Sequence, residues 1–408
     1  MNPVDVLYMV FFSLMIFSSS LWLLVYFRNL GKVEKDPEPS EYRDISFIVP
    51  AYNEEDCVGE TIQALLEVEY PEEKKEIIAV NDGSTDSTLE VLEKFGDSIT
   101  RIDKENTGKA GSMNRALEEV DTEYVACMDA DSVPSKDYLK SIVGHLDRED
   151  VAGVTPAMKL KSDSGLVEKI QWTEYIYQIF LRKVFALFRV QYVMPGPGSV
   201  YKASFLKETG GWDTDTHTED MEIAFRMVSK GYNVENSTNA VVETSPPSSF
   251  AALFRQRIRW YKGYIENFIK YRNLFGNPDS GNMGVFLLPL NTVWILMMVF
   301  LLGHTSFSIM NSLFQKANTY LMLGYVPFDI SLSLQSFHFF HLFIAFFGLI
   351  GVGAMMISLH TAEEPVDLKD KKTNYATFFT IYPYLFAMFW VATFFDYIKD
   401  RGRRKIKW

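Results

Sequence analysis

Cysteine is nearly absent: Cys57 and Cys127 are the only two in 408 residues. They are far apart and form no Cys-x-x-Cys pair. That excludes a disulfide framework and a cysteine zinc site, and leaves both thiols as small buried hydrophobes. An excess of positive charge is also missing. The net charge of −12 argues against a nucleic-acid binder, which would present a basic face. Charge of either sign is missing from 6–27 (VLYMVFFSLMIFSSSLWLLVYF), a run long enough to cross a hydrocarbon core about 30 Å thick. No basic cluster precedes this run, as a cleavable signal would require, so it is expected to stay as an anchor. Arg28, Lys32 and Lys35 follow it and place the next segment on the cytoplasmic side.

Three further apolar runs, at about 284–308, 336–358 and 375–397, are expected to span the membrane. Lys369, Lys371 and Lys372 lie between the last two and fit a cytoplasmic loop. The tail, with Arg401, Arg403, Arg404, Lys405 and Lys407, would then lie outside, against the positive-inside tendency. Either the last run is re-entrant or 318–334 holds another crossing, which Pro327 and Asp329 disfavour. Four spans are expected. The chain divides into an anchor at 1–27, a cytoplasmic α/β domain at 28–247, an interfacial helix region at 248–283, and a membrane region of about three helices with a basic tail at 284–408.

Within the α/β domain, apolar runs alternate with helical patterns. Strands are expected at 45–50, 76–80 and 123–128, and helices at 55–68, 84–95 and 108–120, the second with a capping signature at its start. This alternation indicates a mainly parallel sheet covered by helices. Ligands of such sheets bind beyond the carboxyl ends of the strands. Asp82 sits at the end of the second strand, and Asp129 and Asp131 at the end of the third. Alternate residues of an extended chain point the same way, so Asp129 and Asp131 can share one site. Hard oxygen ligands of this kind suit Mg²⁺ or Mn²⁺ completed by substrate phosphates. A solvated acidic turn is the plainer alternative. The apolar strand before Asp129 and the strand-end position of Asp82 favour a site.

Four runs then occur in order: Pro50-Ala51-Tyr52-Asn53-Glu54-Glu55, Asn81-Asp82-Gly83-Ser84-Thr85-Asp86, Gly108-Lys109-Ala110-Gly111-Ser112-Met113-Asn114 and Asp129-Ala130-Asp131. Together they resemble the family 2 glycosyltransferases, and the resemblance extends over about 45–275. It implies a GT-A type nucleotide-sugar domain. It further implies that Ala51, Tyr52 and Glu54 line the nucleoside pocket, that Asp82 holds the base, usually uracil, and that Lys109 lies near the nucleotide. Asp129 would support the nucleotide and Asp131 would ligate the metal. Chemistry is compatible with this: Gly108 and Gly111 allow close backbone approach, and Lys109 offers a cation to a diphosphate. Gly108-Lys109 is not a Walker motif, since the other glycine and the Ser/Thr are missing. Alone, Lys109 would read as a solvated lysine at a helix start.

Thr218-Glu219-Asp220 opens a helix expected at 221–229 and resembles the family's Thr-Glu-Asp motif, whose aspartate deprotonates the acceptor hydroxyl. The resemblance makes Asp220 the base and sets Glu219 beside the substrate. An ordinary acidic helix start, favoured by the helix dipole, is the alternative for both. His217 either approaches the metal or merely sits on the loop, and the loop reading is preferred. Gln256, Arg259 and Trp260 fall on one face of a helix. The guanidinium can hold a diphosphate, and the indole can support a sugar ring. An amphipathic helix lying on the membrane explains the neighbouring apolar positions equally well. This Gln-x-x-Arg-Trp pattern resembles that of processive polysaccharide synthases. Met194 to Tyr201 resembles their acceptor segment, without the cysteine some carry there. Residues 165–190, with Trp172, Tyr175, Tyr177, Phe180 and Phe185, fit either an interfacial or a buried helix.

The reading is a membrane-bound, inverting, metal-dependent transferase that extends a β-linked polysaccharide from a UDP-sugar, with UDP-N-acetylglucosamine as first choice. Its partners are a nucleotide-sugar donor, a polysaccharide or lipid-linked acceptor and membrane lipids; no protein partner is named by the sequence. A single-transfer enzyme acting on a lipid-linked acceptor is the alternative. A non-enzymatic receptor would be expected to have lost Asp131 or Asp220, and both are present.

Overall fold

The computed structural model of the chain describes residues 3–324 and 339–400. Its centre is an eight-stranded mixed sheet in the order β3-β2-β1-β4-β7-β6-β8-β5. The strands are β1 (Ile45–Ala51), β2 (Lys75–Asp82), β3 (Thr100–Lys104), β4 (Tyr124–Cys127), β5 (Val133–Pro134), β6 (Val151–Leu160), β7 (Val200–Lys202) and β8 (Asn233–Thr244). β1 pairs in parallel with β2 and β4, as do β2 with β3 and β6 with β8. β7 runs antiparallel to both β4 and β6, and β5 antiparallel to β8. The parallel half is the part legible from the sequence, because its strands are buried on both faces and read as continuous apolar runs. In β1 the alternation sorts them: Ile45, Phe47, Val49 and Ala51 pack against Ile62 and Leu65 on one side, and Ile48 packs against Met113 and Ala116 on the other. The direction of the chain switches between β4 and β7, and the cavity described below opens there.

Helix Leu166–Leu187 joins this sheet to the apolar helices. Trp172, Tyr175, Ile176 and Ile179 are buried against β6 and against Met355 and Leu359 of helix Phe339–Thr361. Phe180 and Val184 pack on Tyr26 of the anchor helix Pro3–Arg28. Of the two readings of 165–190, the buried helix holds, and its buried neighbours include the apolar helices. The linker after the anchor is pinned at Asp36, which is buried beside His145 at 2.9 Å and accepts from the Ser237 hydroxyl at 2.5 Å.

Two helices among the described residues, the anchor and 283–323, are long and apolar enough to cross a membrane, or three if a bent pair counts as one span. The run expected at 284–308 continues as helix to Leu323. No proline or charge follows Pro289 until Lys316, so nothing breaks the helix at a bilayer's thickness. The run expected at 375–397 is two helices, Lys372–Thr380 and Tyr382–Asp400, bent by 48°. Pro383 supplies the reason: it lacks the amide donor, and its ring crowds the preceding turn. The broken form is therefore the better description of the last segment. The additional crossing weighed at 318–334 and the basic tail from Arg401 lie wholly or partly outside the described residues, as does the start of 336–358.

Candidate active site

The loops after β1 and β2 build one wall. The Asn53 amide donates to the Ser84 hydroxyl at 3.0 Å, and the Thr85 amide returns a bond to the Asn53 side chain at 2.8 Å. The Glu54 amide donates to the Thr88 hydroxyl at 2.8 Å, and Glu55 accepts from the Ser87 amide at 2.9 Å. This lacing corrects the expectation of a helix starting at 84. Ser84 is spent on the neighbouring loop, and the helix is Thr88–Glu93. Asp82 is buried at the end of β2, where it pairs with Lys104 and accepts from the Thr107 and Gly108 amides at 2.9 and 2.8 Å. It thus fixes the turn that launches helix Lys109–Leu117.

Lys109 is not a solvated lysine. It is buried, paired with Asp129 and 3.6 Å from Glu219. Burial by itself would lower its proton affinity, but Asp129 and Glu219 outweigh that and hold the ammonium above its ordinary value. Gly196 rests on this pair: a Cβ there would stand 2.2 Å from the lysine nitrogen and 2.8 Å from Asp129. In the same segment the Met194 amide donates to the Asp220 carbonyl at 2.9 Å. One stretch of chain therefore connects the Asp129 centre to Asp220.

Three carboxylates crowd the strand-end wall. Burial, followed by the charges of Asp131 and Asp129, pushes Glu54 up to about 7. Burial and Asp129 likewise raise Asp131. One oxygen of Asp131 accepts from the Ser132 and Thr244 hydroxyls at 2.9 and 3.4 Å; the other has no hydrogen-bond partner among the described residues. No group of three His, Cys, Asp or Glu side chains is spaced to hold an ion among the described residues. The donor set nevertheless fits one: two hard carboxylates whose mutual repulsion a divalent cation would relieve, with room left for phosphate oxygens.

Helix Glu219–Ser229 carries Asp220 in its first turn. Burial, then the charge of Glu219, pushes its carboxyl up to about 7, against the pull of Lys109 and Arg259. Helix Phe250–Lys270 lies across this helix start. Gly263 permits the approach, since a Cβ there would stand 2.1 Å from the Thr218 hydroxyl. Asn267 donates to that hydroxyl at 3.1 Å, and Glu266 meets His217 at 2.8 Å. Lys270 and the Tyr271 hydroxyl both donate to the fully buried Glu222, at 2.6 Å each. His217 sits on the loop before helix Glu219–Ser229, paired with Glu266.

All the residues singled out from the sequence line one cavity of about 770 Å³: Ala51, Tyr52, Glu54 and Asp82; Lys109, Asp129 and Asp131; Glu219 and Asp220; Gln256, Arg259 and Trp260. The cavity continues between apolar helices, where Trp294, Met298, Tyr382 and Trp390 line it. Sequence reasoning passes over four further lining residues: Glu174, Gln178, Arg182 and Arg257. The first three recur every four residues along helix Leu166–Leu187. That polar stripe in an aromatic helix was the available signal. Arg257 is fully buried, donates to Glu174 at 2.7 Å, and stacks 4.1 Å from the centre of the Trp260 ring.

Residues 43–263, more than half of the chain, match a family described as "Glycosyltransferase like family 2". Among curated proteins, the chain is 28% identical over 305 residues to a poly-beta-1,6-N-acetyl-D-glucosamine synthase of Staphylococcus aureus, covering 71% of this chain and 73% of that protein. The Staphylococcus epidermidis protein of the same name is 27% identical over 372 residues, covering 83% and 87%. Among solved structures, a mannosyltransferase from Pyrobaculum calidifontis, in complex with GDP-Man and Mn²⁺, superposes over 97% of this chain and 100% of that one, with a TM-score of 0.62 and 19% identity. At that identity the likeness is one of fold.

Proposed function

This chain belongs to the family 2 glycosyltransferases, and from that premise we propose that it extends a β-linked polysaccharide at the membrane from UDP-N-acetylglucosamine, with inversion. The observation that carries the reading is the single cavity. It joins the strand-end carboxylates to Asp220 and to Trp260, and then runs on between apolar helices, where a product chain could be threaded. The similarity to the two staphylococcal synthases, whose name gives a polymer of N-acetyl-D-glucosamine, favours that sugar and a polymeric product.

In this reading Ala51, Tyr52, Glu54 and Asp82 receive the nucleoside, and Lys109 holds Asp129 beside the diphosphate. Asp131 and Asp129 would hold Mg²⁺ or Mn²⁺, which when bound neutralises charge on the leaving diphosphate. Trp260 supports a sugar ring, Arg259 on the same helix face holds diphosphate oxygens, and Gln256 projects beside them. Asp220 takes the proton of the acceptor hydroxyl as that oxygen attacks the anomeric carbon. The bond to the diphosphate breaks on the opposite face, UDP leaves, and one displacement inverts the centre. The anchor at 1–27, the catalytic domain at 28–247, the interfacial region at 248–283 and the membrane region from 284 are the corresponding divisions. Arg28, Lys32 and Lys35 set the catalytic domain in the cytoplasm.

The purified protein in nanodiscs, offered a panel of nucleotide-sugars, is expected to release UDP from UDP-N-acetylglucosamine and to yield a ladder of oligomers by mass spectrometry. A product that stops at one sugar on a lipid would overturn the polymerase reading. Chelation by EDTA is expected to lower UDP release roughly 10²- to 10³-fold, the scale of losing a charge-stabilising group. Undiminished release would remove the metal.

Acidity enters through Asp220. A base must be ionised, and this carboxyl is raised to about 7, so its active form is lost as pH falls through that value. Below pH 7, kcat/KM is expected to drop about tenfold per unit. A profile flat from pH 5 to 8 would rule out Asp220 as the titrating base.

A further inference from the structure

Glu174, Gln178 and Arg182 form a hydrogen-bonded row on the cavity side of helix Leu166–Leu187. Glu174 accepts from Arg257 at 2.7 Å through one oxygen and from Gln178 at 3.1 Å through the other. Gln178 in turn accepts from Arg182 at 2.9 Å. The row starts at the Arg257–Glu174 ion pair and ends on a guanidinium with five donors. Among the described residues Arg182 has no carboxylate in ion-pair contact and only this one side-chain acceptor. Partial burial lowers its proton affinity, and Tyr175, Asp220, Tyr192 and Glu174 are the groups that support its charge. The guanidinium is half-buried and lines the cavity, so its unused donors are open to acceptors that a ligand brings there.

Its position selects the ligand. Arg182 comes from the helix that packs on the anchor, and Phe185, three residues on, meets Trp22 edge to face at 5.3 Å. The diphosphate has other partners in this reading, the strand-end carboxylates with their cation and Arg259. Arg182 lines the same cavity as Asp220 and Trp260, which leaves it to the acceptor sugar. Aromatic side chains, Tyr192 and Phe185 among them, line the same cavity. Hydroxyls of a neutral sugar are weak acceptors; the carbonyl oxygen of an acetamido group is a strong one. We propose that Arg182, held by Gln178, receives the acetamido carbonyl of the acceptor sugar and makes the enzyme selective for N-acetylated acceptors. The assignment rests on the N-acetylglucosamine reading above.

The test uses the full-length enzyme with saturating UDP-N-acetylglucosamine and two matched acceptor oligosaccharides, one bearing acetamido groups and one with hydroxyls in their place. The wild type is expected to show a KM at least tenfold lower for the acetylated series. In Arg182→Met that KM rises roughly ten- to hundredfold, the scale of a hydrogen bond to a charged group, with a far smaller change in kcat. The KM for the hydroxyl series moves less than threefold, so the preference disappears. Arg182→Lys, which keeps the charge but not the fork, recovers part of the preference. Equal rises for both acceptors in Arg182→Met, or a preference left intact, would overturn the assignment. Should Arg182→Met fail to fold, Arg182→Lys decides alone: a preference equal to the wild type's sinks the proposal. Absence of UDP release by the wild type counts against the function and this assignment together. Release with no acceptor preference counts against Arg182 alone.

Discussion

Asp220→Asn is expected to cut sugar transfer by about 10²- to 10⁴-fold, the usual worth of a general base, while UDP affinity changes less than threefold. The substitution is nearly isosteric. The side-chain oxygen that accepts from the Met221 amide at 2.8 Å remains available, so the start of helix Glu219–Ser229 should hold. What disappears is a group that can take a proton, and with it the charge facing Lys109 and Arg259. Glu219 is an unsuitable substitute, because it lies 3.6 Å from the Lys109 nitrogen as part of an ion-pair row. Calorimetric titration with UDP, run beside product mass spectrometry, checks both halves of the expectation. A folded, UDP-binding Asp220→Asn enzyme that transfers sugar at the wild-type rate would remove the base assignment.

The second large effect is on stability. Arg257→Met leaves Glu174 as a buried carboxylate without its cation, and breaking such a pair costs about 3–5 kcal/mol. Both side chains are nearly closed to solvent, at 1% and 7% exposure, so water replaces the lost cation only where the cavity reaches them. A domain of ordinary stability, about 5–15 kcal/mol, would lose a large share. Removing both charges is a different matter. Arg257→Met with Glu174→Leu replaces the pair by apolar volume and should recover most of the loss. Thermal unfolding of the two single variants and the double variant in one detergent separates these cases. Singles as stable as the wild type would mean that the pair is solvated.

These two residues mark what sequence reasoning reached and what it did not. Asp220 was legible because its neighbours in sequence carry the signal. The same is true of Asp82, which ends β2, and of Asp129 and Asp131, which follow β4: the apolar runs of those strands announce them. Arg257 stands two residues from Arg259 and was passed over, because its partner Glu174 is brought to it only by tertiary packing. The Glu174-Gln178-Arg182 row was hidden in the same way, inside a helix whose aromatics dominate its pattern. Lys109 misled in the opposite direction. Its local context is that of a solvated lysine, and the approach of Asp129, and of Glu219 from more than a hundred positions away, makes it a buried cation. At the membrane the errors were of boundaries. Apolar content marked the helices but not where one overruns to Leu323 or where Pro383 breaks another.

The packing of helix Phe250–Lys270 across the Thr218 turn has a mechanical consequence. Gly263, Glu266, Asn267 and Lys270 seize the element bearing Asp220, while Gln256, Arg259 and Trp260 project from an earlier stretch of the same rod. Asp220 and Trp260 are therefore held in one packed frame. If the chain is the synthase proposed above, a growing polymer would slide past a base fixed in that frame, and the stride of elongation would be set by the length of the sugar unit and not by any stroke of the protein.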